Sequence, residues 1–528
     1  MKICIVALIL SFSLSTSLLA EKQSATGRVF HDANSNGVYD IGERLLKGVG
    51  ISNGRDVVET DRHGRYQVSV TDDTIIFVIK PEGWACPLNE NRLPQFHYIH
   101  KPNGSPDHFK YPGVAPTGPL PESIDFPLYS QQEPKLFKAV LFADPQPRSQ
   151  TEVDYVTHDI VEDLMGTDAS FGVTLGDITF DGLELFESQN AAIALLGIPW
   201  YNIIGNHDVN REAETDELSD ETFERVYGPS YYSFDYGKVH FLALDNISWY
   251  QDKENKRARY KNSLGKEQVE FIRNDLARVP RNKLVVLLMH IPIDSMEERE
   301  GVFRLIERRP YTFSVSGHTH YHEHRFIGKE GGWQGVEPHH HMINVTASGS
   351  WWGGIKDERQ IPHTTMKDGA PNGYTIVTFD GQRYSIDYKA ANLPADRQLH
   401  LYAPDAVSQD QLAELAITAN VYNGNEKSKV QLNLSAKGES LGTVSMEQKA
   451  GVDPVYQQVF DRESAALAKI GDGERWVALP APRVTAHLWH SSLPADLSAG
   501  TYLITVLVEL ENGSQYTAER ILRVTESP

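Results

Sequence analysis

Cysteine is almost missing from this chain, and so are long apolar runs beyond its first residues. Of 528 residues only two are cysteine, Cys4 and Cys86. Cys4 falls in an N-terminal apolar segment. Without that segment no intramolecular disulfide is possible, so stability must come from packed cores or bound ions. No later apolar stretch reaches membrane-spanning length. Positive charge is also scarce: 50 Lys and Arg stand against 71 Asp and Glu, a net charge of −21. That balance argues against a protein that wraps nucleic-acid backbone. What is present is ordinary globular composition, 40% hydrophobic and 23% charged. It excludes fibrous and disordered classes, and the length requires several domains.

The N-terminus reads as a targeting segment over residues 1–20. Lys2 is followed by an uncharged, mostly apolar run from Ile3 to Leu19, and Ala20 precedes Glu21-Lys22. This pattern is that of an export signal, so the product is expected to be exported, periplasmic or secreted, or at most tethered by an uncleaved N-terminus, with no further membrane span.

Residues 21–133 read as an N-terminal β-sandwich. Short runs such as Tyr66–Val70 and Ile75–Lys80 alternate with turn residues. Within it, Asp32, Asn34, Asn36, Asp40 and Glu43 place side-chain oxygens at positions 1, 3, 5, 9 and 12 of a loop with Gly37 at position 6. With the Val38 carbonyl, that is the donor spacing of a calcium loop. Strand-like flanks make it a structural clip. Asp32 to Glu43, with the later Thr60 to Tyr66, resembles the calcium-binding B-type repeats of bacterial surface proteins. A Pro/Gly-rich linker follows.

From residue 134 to 395 the texture changes. Strand patterns (Phe137–Phe142, Phe171–Leu175, Ile198–Ile204, Val239–Leu244, Leu284–Met289, Tyr311–Val315) alternate with helical ones (Val153–Met165, Leu183–Leu196, Lys266–Ala277, Val302–Ile306). This alternation predicts a layered α/β domain. Helical patterns stop after about residue 335, and residues 396–528 read as a C-terminal β domain.

The α/β strand-ends carry the chemistry. Asp144 and Gln146, Asp177, Asn206 and His207, His290, and His318 and His320 each follow an apolar run, where open sheets place their sites. Carboxylates, amides and imidazoles in this number suit two divalent ions such as Mn, Fe, Zn or Mg. A hydroxide bridging the ions would be a nucleophile for in-line attack on phosphorus. The blocks Asp144-Pro-Gln146, Gly176-Asp177, Gly205-Asn206-His207-Asp208, His290 and Gly317-His318-Thr-His320 resemble, in order, those of the calcineurin-like metallophosphoesterases. The outer β domains resemble an exported bacterial subgroup whose N-terminal domain is prealbumin-like.

That resemblance implies a phosphoric ester hydrolase with a dinuclear metal centre. It places Asp144, Asp177 and His320 on one metal, with Gln146 beside or coordinating it. Asp177 would bridge, and Asn206, His290 and His318 would complete the second metal. His207 would donate to the phosphate or the leaving oxygen, and Asp208 would orient it. Gln146 stands where many relatives have His; its neutral amide tilts the first metal toward Mn or Mg. It also leaves open, beside a simple phosphate ester, a phosphodiester or diphosphate of a nucleotide or of a lipid or glycan head group.

Trp351-Trp352, with Asn372 and Tyr374, are candidate substrate walls able to stack a base, sugar or choline-like group. The expected partner is a small phosphorylated molecule. A non-catalytic surface-binding protein is disfavoured, because degeneration would erase metal positions. His158, His240 and the run His339–His341 lack metal spacing, and the run is read as surface or as backing the ligands.

Overall fold

Strands that are buried at every position need cover on both faces, and the centre of this chain is built from such strands. Phe171–Leu175 and Leu284–Leu288 are buried throughout. The computed structural model describes residues 23–252, 254–255, 257–470 and 476–527; the export segment read in residues 1–20 lies outside them.

Two central sheets pack face to face. One is ordered Trp200–Ile203, Phe171–Leu175, Leu136–Phe142, Gly373–Asp380, Arg383–Ala390. Its first three strands are parallel, and a terminal antiparallel hairpin closes it. The other is ordered Tyr232–Tyr236, Val239–Ala243, Leu284–Leu288, Thr312–Ser316, His339–Ile343, Glu323–Ile327. Its four middle strands are parallel and both edges antiparallel. Phe137, Phe171 and Val173 of the first sheet meet Phe241, Val285 and Phe313 of the second in one core. Helices cover the outer faces: Gln150–Val156 and Phe186–Ala194 pack on one sheet through Val156 and Ile193, and Gly265–Leu276 and Arg299–Ile306 on the other. The result is the layered sandwich with flanking helices that the pattern predicts. All parallel strands deliver their C-terminal ends to one edge.

The N-terminal domain is a sandwich of two four-stranded sheets. Its core is continuous with the central one. Phe77 sits edge-on to Phe271 at 5.6 Å, and Phe96 lies 5.0 Å from Tyr232. The C-terminal domain has a separate core, including Ile417, Leu432, Trp489 and Ile504, between a four- and a five-stranded sheet.

Two local expectations need correction. The C-terminal domain contains a helix, Pro454–Leu467, capped by Asp453, whose side chain accepts from the Tyr456 N–H. Only Tyr456, Glu463 and Leu467 of it are buried, so it carries too little apolar periodicity to be read in sequence. His339 and His341 are not at the surface: both are buried and share the Ser314 hydroxyl at 2.8 Å. In the acidic stretch Glu212–Glu224, Glu221 is buried and paired with Lys101 and Ser105.

His240 is buried between Asp235 (2.9 Å) and Asp275 (2.8 Å). Burial pulls its pKa down, but Asp275 and Asp235 outweigh it and raise the ring to about 9. A raised imidazole stabilises the fold fully below its unfolded pKa of about 6.5, and that contribution fades toward pH 9. His240→Gln is therefore expected to cost roughly 3 kcal/mol at pH 6, and less at pH 9. Denaturant melts at the two pH values measure this; equal losses would show that the ring is uncharged.

Candidate metal centre

Three of the five polar strand-ends turn on left-handed residues. Asp144 (φ 47°), Gln146 (42°), Asp177 (52°), His318 (72°) and His320 (54°) all lie in that region. Asp, Asn and His tolerate it better than most residues, and such outliers gather where surrounding structure over-determines them. Here the sharp turns aim successive side chains into one cavity at the shared sheet edge. Two glycines make room. A Cβ on Gly205 would stand 2.1 Å from the Asp177 nitrogen, and one on Gly176 would stand 2.5 Å from the His290 ring.

All seven residues expected as metal ligands converge. Asp177 Oδ2 lies 3.3 Å from His290 Nε2 and bonds the Gln146 amide. Its Oδ1 accepts from the His207 N–H at 2.9 Å. His290 Nε2 is 3.2 Å from Asn206 Oδ1 and 3.1 Å from His318 Nδ1. His320 Nε2 is 3.6 Å from Asp144 Oδ1, and both Asp144 oxygens accept from the His318 N–H.

The donor chemistry fits cations. His290 Nδ1 donates to the Leu175 carbonyl at 2.9 Å, and His320 Nδ1 to the Gly349 carbonyl at 2.6 Å. Both rings thus turn bare Nε2 atoms toward carboxylate and amide oxygens, an arrangement of lone pairs that only positive charge reconciles. Gln146 Oε1 is buried without a partner. Titration follows the same logic. Burial raises the Asp144 carboxyl to about 7. Burial also opposes charge on His290, yet Asp177 lifts it to about 9. Burial, aided by nearby positive groups such as Lys367, carries His318 down to about 4 and His320 to about 3, leaving both neutral for coordination.

His207 sits at the mouth with its side chain 21% exposed. Asp208 does not orient it, contrary to expectation. Asp208 is fully buried and accepts from the backbone N–H groups of Ile178, Thr179 and Gly205. It is a brace joining two of the ligand loops. The partner of His207 Nδ1 is Asp181, at 2.8 Å, itself paired with Arg211. Sequence reading missed Asp181; its only signal was an acid four residues beyond Asp177.

The expected substrate walls divide. Trp351 stacks on His320 at 3.9 Å and borders the centre. The other three are structural. Trp352 is buried and donates to the Pro145 carbonyl. Asn372 is held by Asp159 and the Ala347 carbonyl, and buried Tyr374 bonds Asp163. Two residues near motifs join the rim unannounced. Phe180 stacks on His207 at 4.2 Å, and Arg148 lies over Phe180 at 4.3 Å while donating to the Trp351 carbonyl. Lys367 lies 5.9 Å from Trp351.

In the N-terminal loop, Asp32 accepts from the Asn36 and Gly37 N–H groups, and Glu43 from those of Ala33 and Asp40. Asn34 and Asn36 both turn toward Asp40 Oδ2, at 2.7 and 2.9 Å. The loop is wound so that the named side chains face one another.

A mixed carboxylate, amide and imidazole cluster at the C-terminal edge of a two-sheet sandwich defines a metal-dependent hydrolase of phosphoric esters. Family models agree in order along the chain. The model described as N terminal of calcineurin-like phosphoesterase matches residues 33–113, calcineurin-like phosphoesterase matches 140–322, and C terminal of calcineurin-like phosphoesterase matches 341–516. The chain belongs to the calcineurin-like phosphoesterases. No curated protein matches it in sequence. Among solved structures, a purple acid phosphatase from yellow lupin (Lupinus luteus) seeds is 14% identical with a TM-score of 0.35, covering 67% of this chain and 68% of its own. Murine CRIg is 10% identical with a TM-score of 0.12, covering 25% of this chain and 98% of its own. Similarities this weak carry no argument.

Two substitutions separate the brace from the orienter. Asp181→Asn should lower kcat about 10- to 100-fold with metal content unchanged, because the ligand loops are untouched. Asp208→Ala should lose bound metal, since three buried N–H groups are orphaned. Metal analysis beside kinetics reads both; the reverse pattern would return the orienting role to Asp208.

Proposed function

We propose that the chain hydrolyses a small phosphate ester at this centre. The observation that carries the reading is Asp177 Oδ2, which lies between the Gln146 amide and His290 Nε2. Asp144, Gln146, Asp177 and His320 would hold one divalent ion, and Asp177, Asn206, His290 and His318 the other. Bound there, Mn, Fe, Zn or Mg would supply Lewis acidity toward phosphate oxygens and an acidified water as nucleophile. The protein's own groups do the rest. Arg148, Arg211 and Lys367 gather positive charge at the mouth of a strongly acidic chain, which favours an anionic substrate. His207, held at Nδ1 by Asp181, directs its Nε2 away from that bond and can give a proton to the leaving oxygen.

A second reading, cleavage of a phosphodiester or diphosphate in a nucleotide or head group, is favoured by Trp351. Its ring on His320, with Lys367 near it, offers a flat face and a cation beside the centre. Export from the cell remains our reading of residues 1–20. We also assign calcium to the loop formed by Asp32, Asn34, Asn36, the Val38 carbonyl, Asp40 and Glu43, as a clip within the N-terminal sandwich.

Metal-loaded protein should hydrolyse p-nitrophenyl phosphate or its bis-ester, and a panel with Mn, Zn, Fe and Mg will rank the two. Asp177→Asn should nearly abolish turnover, and His207→Ala should lower it about 100- to 10,000-fold. Full activity in Asp177→Asn would sink the mechanism. Calcium should raise Tm in the wild type but not in Glu43→Gln; an unchanged wild-type Tm removes calcium from the loop.

A further inference from the structure

Histidine recurs at every second position from His318 to His324. The first two, His318 and His320, turn into the catalytic cluster. The next two face the other way, toward the C-terminal domain. His322 is buried, and its Nε2 lies 3.3 Å from His324 Nε2. Asn423, in the turn after the strand Ala416–Val421, brings its Oδ1 to 3.0 Å from the first nitrogen and 2.8 Å from the second. Three ligand atoms about 2.0–2.1 Å from one tetrahedral or octahedral ion are separated by roughly 2.8–3.4 Å. The observed triangle has those edges. We propose that His322, His324 and Asn423 form a separate metal site for a divalent transition ion such as zinc, pinning the C-terminal β domain to the catalytic core.

The surroundings hold Asn423 and His324 in position, while His322 Nδ1 is buried without a partner. Asn423 Nδ2 donates to the Ile386 carbonyl at 2.9 Å, which fixes the amide with its oxygen toward the histidines. His324 Nδ1 lies 2.9 Å from His340 Nε2, and His340 Nδ1 lies 2.8 Å from the Tyr384 hydroxyl. With His340 Nδ1–H donating to Tyr384, its Nε2 accepts from His324 Nδ1–H. His324 Nε2 is then bare, as a ligand backed by an outer hydrogen bond should be. Without a cation, two imidazole nitrogens face each other across one amide oxygen. His324 and Asn423 also line a crevice of about 610 Å³ between the domains. It offers a way in and room for water as a further ligand. Imidazole pairs with an amide oxygen favour Zn, Co or Ni over Ca or Mg.

The site is independent of the phosphoesterase reading, and the test keeps them apart. Purified full-length protein is stripped with chelator and reloaded with Co(II). Metal content is read by mass spectrometry and ligand geometry by visible absorption. Asp177→Asn, which breaks the catalytic cluster, should retain one cobalt per chain with nitrogen-ligand bands. Adding His324→Gln or Asn423→Ala to it should remove that cobalt and those bands. In the wild-type background His324→Gln should lower metal content by one equivalent and lower Tm, with kcat unchanged. If neither change alters cobalt content in folded Asp177→Asn protein, as judged by circular dichroism, the triad is a hydrogen-bonded clamp and the proposal fails. Should His324→Gln not fold, Asn423→Ala decides alone, because Asn423 lies in a turn of the other domain.

Discussion

Too many lone pairs meet at one sheet edge for this protein to be indifferent to positive charge. Asp144 and Asp177 are buried, with His290, His318, His320, Asn206 and Gln146 turned onto them. Desolvation makes an uncompensated carboxylate there expensive. Without an ion, Asp177 holds a proton on His290; a divalent ion would displace it, balance the carboxylates and gather a phosphate in the same field. Stability and activity at this edge thus share one electrostatic cause.

Holding that edge requires strain. Left-handed residues cost of order 1–3 kcal/mol each when not glycine, less for Asp and His than for Gln146. What opposes relaxation is the framework beneath. Fully buried parallel strands allow no slippage, because a one-residue shift would turn every side chain over. Asp208 ties the Asp177 and Asn206 loops through three backbone bonds, and Trp352 props the Asp144–Gln146 turn from behind. Residues that look catalytic in a motif therefore divide into those that touch the centre and those that hold the loops.

The two outer domains are joined to the core by different physics. The N-terminal sandwich shares an apolar core with it, through pairs such as Phe77 and Phe271. The C-terminal domain keeps its own core and meets the catalytic one through a small apolar cluster, in which Tyr422 joins Tyr388 and Met366, and through polar groups. Asp368 bonds both His487 and the His322 N–H, and Asn420 bonds the Asp368 carbonyl and Asp453. Apolar contacts tolerate small shifts, whereas such bonds demand fixed geometry. The C-terminal domain is thereby bonded, through Asp368, to the loop that carries His318 and His320.

Periodicity and motif order in the chain alone determined the layered α/β core, the β character of both flanks and the seven donor positions, because strand-ends and ligand types are local properties. Only the tertiary structure decided which neighbours those donors have. Asp181 replaced Asp208 at His207, since a hydrogen bond depends on where loops pass, not on adjacency in sequence. Trp351 and Trp352 read alike, yet one lies against His320 and the other is buried beneath Pro145. The helix Pro454–Leu467 escaped notice because few of its side chains are buried. His322 and His324 acquired meaning only when a turn of another domain brought Asn423 to them.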